Sequence, residues 1–285
     1  MNYKGVKPTS RRLISKNSKC SLCGSAKHNL IHEFDHPVEN ENTFGIKEYY
    51  RELWRCSICG LFFNEHEYNF EEIYKGDYRI SAYRGDLIHQ RFNEIMNLPI
   101  EKSDNKNRVL RILDFLKKHS FKLDKKILDI GSGMGVFPAA MKQNHWEVVA
   151  IDPDPINIEI AKNYGQVRAI QGVFPNLSID EKFSLITFNK VIEHIADATS
   201  FLNAAKKHLN KKGYVYIELP DGEEAIKVSH FRQEFFLEHY YAFTSSSICL
   251  LADKAGFSVV RLQKIKDPSG KHTLAGFLMA EDNFK

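Results

Sequence analysis

Four of the five cysteines fall in two pairs, Cys20-x-x-Cys23 and Cys56-x-x-Cys59, and each pair is followed at once by glycine, Gly24 or Gly60. Thiolates at this spacing chelate a tetrahedral ion, and four of them fill the shell of a structural zinc site. Two disulfides, or a redox-active C-x-x-C, are the other chemistries the spacing permits. A reducing compartment disfavours the first, and the second needs only one pair. Zinc is the expected occupant of Cys20, Cys23, Cys56 and Cys59. With four thiolates at hand, His28, His32 and His36 are expected to face solvent, and Cys249, alone in an apolar helical stretch, is expected in the core.

A second signal lies at Lys125 to Val136. Ile127-Leu128-Asp129-Ile130 reads as a buried strand, and it runs into Gly131-Ser132-Gly133-Met134-Gly135 before a helix-compatible segment. Strand, glycine turn and helix together present backbone N–H groups to a ligand at the carboxyl end of a sheet. The dinucleotide pattern G-x-G-x-x-G fails because Val136 takes its third glycine position, and no Lys-Ser or Lys-Thr completes a P-loop. The next strand, 146–151, ends in Asp152, about 20 positions past the glycines, where a carboxylate can accept from both hydroxyls of a ribose. Its competing role, N-cap of the helix that begins at Pro153, is better filled by Asp154.

An acid followed by alternate glycines, Asp129-x-Gly131-x-Gly133-x-Gly135, resembles the first motif of the class I S-adenosylmethionine-dependent methyltransferases. In that family the loop wraps the amino-acid end of a sulfonium cofactor. The resemblance covers about residues 108–285 and implies an α/β fold, a seven-stranded Rossmann-like sheet. Local patterns agree. Strands are expected at 167–171, 183–188 and 213–219, helices at 197–209 and 245–255, and a closing antiparallel pair at 258–266 and 273–280 around Pro268-Ser269-Gly270.

The resemblance also assigns roles. Asn189-Lys190-Val191-Ile192-Glu193-His194 looks like the V-I-E-H stretch after the fourth strand of small-molecule methyltransferases, including those acting on quinone precursors. It implies Asn189 near the methionine moiety, with Glu193 and His194 toward the acceptor. Glu238-His239-x-x-x-Phe243-Thr244 resembles a segment of sugar methyltransferases, some of which carry an N-terminal four-cysteine module and use a histidine here, with a nearby tyrosine, as base. That carries onto His239, with Tyr241 as the hydroxyl in the segment. Phe236 stands where the tyrosine would be, and the long C-terminal domain of the C-methyltransferases is absent; both weaken the case for carbon as the methylated atom. After the third strand, Gly172-Val173-Phe174 stands where many relatives carry an acid, so the backbone is expected to meet the adenine and Phe174 to pack its ring.

Positioning these groups needs a basic tail at 1–18, a zinc-ribbon-like module at 19–65, a connector of aromatic and helical character at 66–120 (Tyr68, Phe70, Tyr74, Tyr78, Tyr83) and a methyltransferase domain at 121–285. Helices are expected at 84–96 and 105–119, the second with a face of Val109, Leu110, Leu113 and Leu116. No run approaches a membrane span, and the N-terminus lacks a signal-like apolar core, so a cytoplasmic protein without membrane insertion is expected. Net charge is only +4, yet residues 1–32 hold seven Lys or Arg and no acid. The expected partner is a small-molecule or glycan-precursor acceptor, methylated on oxygen. RNA is the alternative, through the zinc module and basic arm, and a non-catalytic binding protein that retains the fold is the other.

Overall fold

The structure, a computed structural model, describes residues 19–68, 85–119 and 124–281. The basic tail and the expected contributions of Phe70, Tyr74, Tyr78 and Tyr83 lie outside these residues. The cysteine module is an antiparallel sheet of β1 (His28–Phe34), β2 (Arg51–Cys56) and β3 (Phe62–Glu65). Its two knuckles lie before β1 and between β2 and β3.

The larger sheet holds β4 (Lys126–Ile130), β5 (Glu147–Asp152), β6 (Arg168–Gln171), β7 (Phe183–Asn189) and β8 (Leu209–Pro220) in parallel. A two-residue strand, β9 (Tyr241–Ala242), intervenes before the antiparallel β10 (Phe257–Lys266) and β11 (His272–Ala280). The order β10-β11-β8-β7-β4-β5-β6 makes the expected seven strands closed by a hairpin. Strands leave β4 in opposite directions, through β5 on one side and β7 on the other, and a ligand crevice forms at such a switch point. β9 pairs with β3, so the module's sheet is completed by a strand from the far end of the chain.

Helices cover both faces. On one side α1 (Gly85–Asn97), α2 (Asp104–His119) and α3 (Val136–Gln143) pack near Ile127, Leu185 and Phe277. Beside them lies α4 (Pro155–Asn163), while α5 (Ala198–Ala204) and α7 (Ser245–Lys254) cover Leu128, Ile186 and Phe188 on the other, with α6 (Gly222–Val228) beyond β8. Their starts are set by side chains that satisfy free N–H groups: Asp154 accepts from Ile156, Asp197 from Ser200 and Thr244 from Ser247.

Two faces differ from expectation. In α2 the buried stripe is Val109, Ile112, Phe115 and Leu116, while Leu110 is 52 % exposed. Cys249 is exposed rather than core, because Ile248, Leu251 and Ala252 take the buried side of α7 and leave position 249 outside. His28 is also not simply solvent-facing; its ring meets Trp54 and Phe63 edge-on at 4.9 and 5.7 Å.

Candidate active site and metal centre

The glycine loop ends β4 with all three glycines at positive φ, +70° at Gly131, +52° at Gly133 and +79° at Gly135. At Gly135 a Cβ would lie 2.6 Å from the Ala161 Cβ and 2.9 Å from its Cα, so glycine lets α3 and α4 approach closely. Gly133 has open space where its Cβ would be, a face free to take a ligand. Asp152, at the end of β5, is tied to this loop: Oδ2 accepts from the Gly133 N–H at 2.8 Å, and Oδ1 from Asp154 N–H at 3.0 Å and Asn157 Nδ2 at 3.1 Å. A carboxylate offers about four acceptor positions, so capacity remains at the rim. Pro153 follows and Ser132 lies half-buried in the loop.

Asp129 is almost fully buried and accepts from Thr187 Oγ1 at 2.6 Å and Asn189 Nδ2 at 2.8 Å. Burial pushes its pKa up to about 7, against the pull of those bonds and of the Arg108 charge. Asn189 Oδ1, at the end of β7, is buried without a hydrogen-bond partner among the described residues. Across the crevice Val173 is 57 % exposed. Phe174 departs from expectation: it is 3 % exposed and packs edge-on to Phe188 and Phe201, so its ring belongs to the core. Gly172, beside it, donates its N–H to the Asp152 carbonyl at 3.0 Å.

Beyond Asn189 opens a cavity of about 340 Å³, lined by Lys190, Glu193, His194, His239, Lys271 and His272 among others. Among the described residues, Pro220 and Phe236 are its apolar lining; the rest is polar or charged. His194 and His239, expected from separate motifs, meet here with ring centroids 4.8 Å apart. Nδ1 of His194 lies 2.8 Å from the Glu238 carbonyl, and Nδ1 of His239 lies 3.0 Å from the Glu234 carbonyl. A carbonyl can only accept, so each Nδ1 carries the proton and each Nε2 keeps a lone pair when the ring is neutral. Burial, then the neighbouring His194, holds the His239 pKa well below the usual histidine value. Glu193 is buried and, among the described residues, neither carboxylate oxygen has a hydrogen-bond partner; burial raises its pKa.

Tyr241 does not join this group. Its hydroxyl donates to the Ala196 carbonyl at 2.6 Å, and the side chain lines a different cavity with Ser21 and Leu22. Lys190 was legible only as part of a motif; it sits at φ +61° and donates to Thr273 Oγ1. Glu218, near the end of β8, is locked by Arg108 at 2.5 and 2.9 Å, Arg111 at 2.6 Å and the Tyr216 hydroxyl at 2.6 Å. Burial alone would raise its pKa, but the Arg108 charge and bonds, with Lys190 and Arg111, outweigh it and hold the group at about 2. Asn40 and Asn42, from the cysteine module, also line the cavity that His194 and His239 share, and no local pattern marks them.

The four cysteines converge as their spacing implies. Cys20 and Cys59 lie 3.7 Å apart, Cys23 and Cys56 lie 3.5 Å apart, and all four sulfurs are within 4.8 Å of one another. Tetrahedral zinc at 2.3 Å from each sulfur needs sulfur separations of roughly 3.8 Å. The set fits, and the adjacent Cys59 thiol already pulls the Cys20 pKa down.

The sequence profile of the methyltransferase-domain family matches residues 90–262, more than half of the chain. The chain belongs to that family. Its seven-stranded sheet is the class I S-adenosylmethionine-dependent methyltransferase fold, shared with an S-adenosylmethionine-dependent methyltransferase of Clostridium acetobutylicum (TM-score 0.52, 13% identity, 68% of this chain and 98% of that one). A magnesium protoporphyrin IX methyltransferase of Synechocystis has the same fold (TM-score 0.51, 13% identity, 62% and 83%). In sequence the methyltransferase domain is similar to the ubiquinone biosynthesis O-methyltransferase of Bartonella tribocorum, 36% identical over 105 residues, 32% of this chain and 40% of that protein. That of Rickettsia typhi is 27% identical over 137 residues, 46% and 56%. The chain thus spans about half the length of these curated relatives. No helix among the described residues is long and apolar enough to cross a membrane.

Proposed function

We propose that this protein transfers a methyl group from S-adenosylmethionine to a hydroxyl of a small, polar acceptor of the metabolite or glycan-precursor class. The observation that carries this reading is the polar cavity beside Asn189, where two histidines with free Nε2 lone pairs meet an unpartnered buried carboxylate. The relatives' names, which specify O-methylation, support oxygen as the methylated atom. A lining this polar suits a hydroxyl-rich acceptor better than an apolar one.

The bound cofactor supplies a methyl group made electrophilic by a sulfonium. Asp129, Gly131, Ser132, Gly133, Gly135 and Asn189 would hold its amino-acid end, Asp152 its ribose hydroxyls with Pro153 beside them, and Gly172 with Val173 the edge of the adenine. Glu193 accepts a hydrogen bond from the acceptor and fixes its orientation. His239, kept neutral by burial, takes the hydroxyl proton at Nε2 as the oxygen becomes a nucleophile. His194 is the alternative base. Zinc on Cys20, Cys23, Cys56 and Cys59 is structural.

Asp152→Ala is expected to weaken S-adenosylhomocysteine binding by roughly 1–3 kcal/mol, the cost of leaving buried hydroxyl partners unpaired; an unchanged calorimetric titration removes the ribose assignment. Incubating the protein with methyl-labelled S-adenosylmethionine and host extract tests the function. Label is expected in the polar small-molecule or glycan-precursor pool. Label that disappears on RNase treatment overturns the acceptor class, and no transfer to any pool, with no binding of S-adenosylhomocysteine, overturns the activity.

A further inference from the structure

The turn that carries His239 is held from outside the methyltransferase sheet. Asn64 of β3 is buried, and its side-chain Nδ2 donates toward three carbonyl oxygens of that turn, Phe235 at 3.2 Å, Phe236 at 3.1 Å and His239 at 2.8 Å. Its backbone N–H donates to the Tyr240 carbonyl at 3.0 Å. The amide is itself fixed, because Oδ1 accepts from Arg51 at 2.8 Å. Arg51 is fully buried, lies 3.6 Å over the Phe34 ring and pairs with Glu41 at 3.1 Å. Glu41 closes the circuit by accepting from the Leu237 N–H at 2.5 Å. A buried network of this kind, in which Arg51 Nη2 faces the Glu41 charge without a hydrogen bond among the described residues, favours one arrangement of the elements it joins.

Two features tie this network to the site rather than to docking alone. Nδ1 of His239 is bonded to the Glu234 carbonyl, within the turn that Asn64 clasps, so the ring follows the turn's geometry. Glu41 sits between Asn40 and Asn42, which line the cavity that His239 faces. We propose that Asn64 is a positioning residue for methyl transfer, which conveys the folded cysteine module to the imidazole of His239. The proposal rests on the reading of His239 as the base.

The test combines kinetics with an NMR titration of labelled histidine, the His239 resonance being assigned by its loss in His239→Gln. The titratable groups that share its cavity are His194, Glu193 and Lys190 from the turn after β7, Lys271 before β11, His272 at the start of β11, and Glu234 and Glu238 on its own segment. In Asn64→Ser, zinc content and S-adenosylhomocysteine affinity are expected to stay unchanged while kcat falls about 10- to 100-fold, the effect of a displacement near 1 Å. The His239 midpoint moves up toward an ordinary histidine as water enters, and the acid limb of kcat moves with it. A lowered melting temperature with kcat and the His239 midpoint unchanged overturns the proposal. If Asn64→Ser sheds zinc, Asn64→Asp, which keeps the Arg51 partner but turns an acceptor toward the three carbonyls, is judged by the same outcomes. Full activity in His239→Gln sinks the base assignment, whereas the NMR midpoint still decides the role of Asn64.

Discussion

Replacing Cys56 by serine is expected to remove one zinc per chain and at least roughly 10²-fold of turnover, the share a general base contributes, while leaving S-adenosylhomocysteine binding intact. Structural zinc in small modules contributes apparent binding energies of about 10–16 kcal/mol, and that energy is folding energy. Cys56 ends β2, the strand that starts with Arg51, and the second knuckle turns the chain into β3, which carries Asn64. Without the metal the β2–β3 hairpin loses its closed end, and the clasp on the His239 turn goes with it. The glycine loop and Asp152 belong to the larger sheet, and among the described residues their hydrogen bonds come from that sheet's own loops and helices rather than from the knuckles. Elemental analysis, calorimetry and turnover read the three quantities separately. A wild-type protein without zinc rules out the site, and zinc loss with full turnover rules out the coupling.

In His239→Gln, kcat is expected to fall about 10²- to 10⁴-fold, the usual cost of losing a general base, with the KM for S-adenosylmethionine unchanged. Burial lowers the pKa of this histidine, and a general base acts in its neutral form. Wild-type kcat should therefore hold as pH falls through about 6.5, the ordinary histidine value, and decline only at lower pH. The variant should lack that acid limb. His194→Gln is the control, and a larger loss there than in His239→Gln transfers the role of base to His194. A wild-type acid limb centred above about 6.5 contradicts a base held neutral by its surroundings.

Much of this arrangement is legible in the sequence because local chemistry decides it. Alternating apolar strands and helices predict the sheet, and Asp197 and Thr244 mark helix starts by the bonds their side chains make. Gly131, Gly133 and Gly135 mark the crevice because only glycine tolerates their backbone angles cheaply. The two cysteine pairs announce one another through ligand count. What fails is orientation. Leu110 and Cys249 are apolar residues one step off a buried stripe, and the period alone does not say which side of an apolar run faces in. Tyr241 lies in a strand of two residues, too short to reveal which way its side chain points. Phe174 follows a strand at a place where solvent and core are both one rotation away. Asn40, Glu41 and Asn64 reach the cavity or its turn only because the module docks there, and that docking is a property of the whole chain.

The pairing of Phe62 with Ala242 and Phe63 with Tyr241 has a consequence for how the chain is made and remodelled. A strand near the N-terminus waits for a partner about 180 residues later, so a nascent chain leaves the ribosome with an unpaired β3 edge. Closing so long a loop adds contact order and slows assembly relative to the local helices. Grafting the module onto another enzyme by cutting at residue 65 would export that bare edge. A transplant that folds must carry the 234–244 segment as its second half.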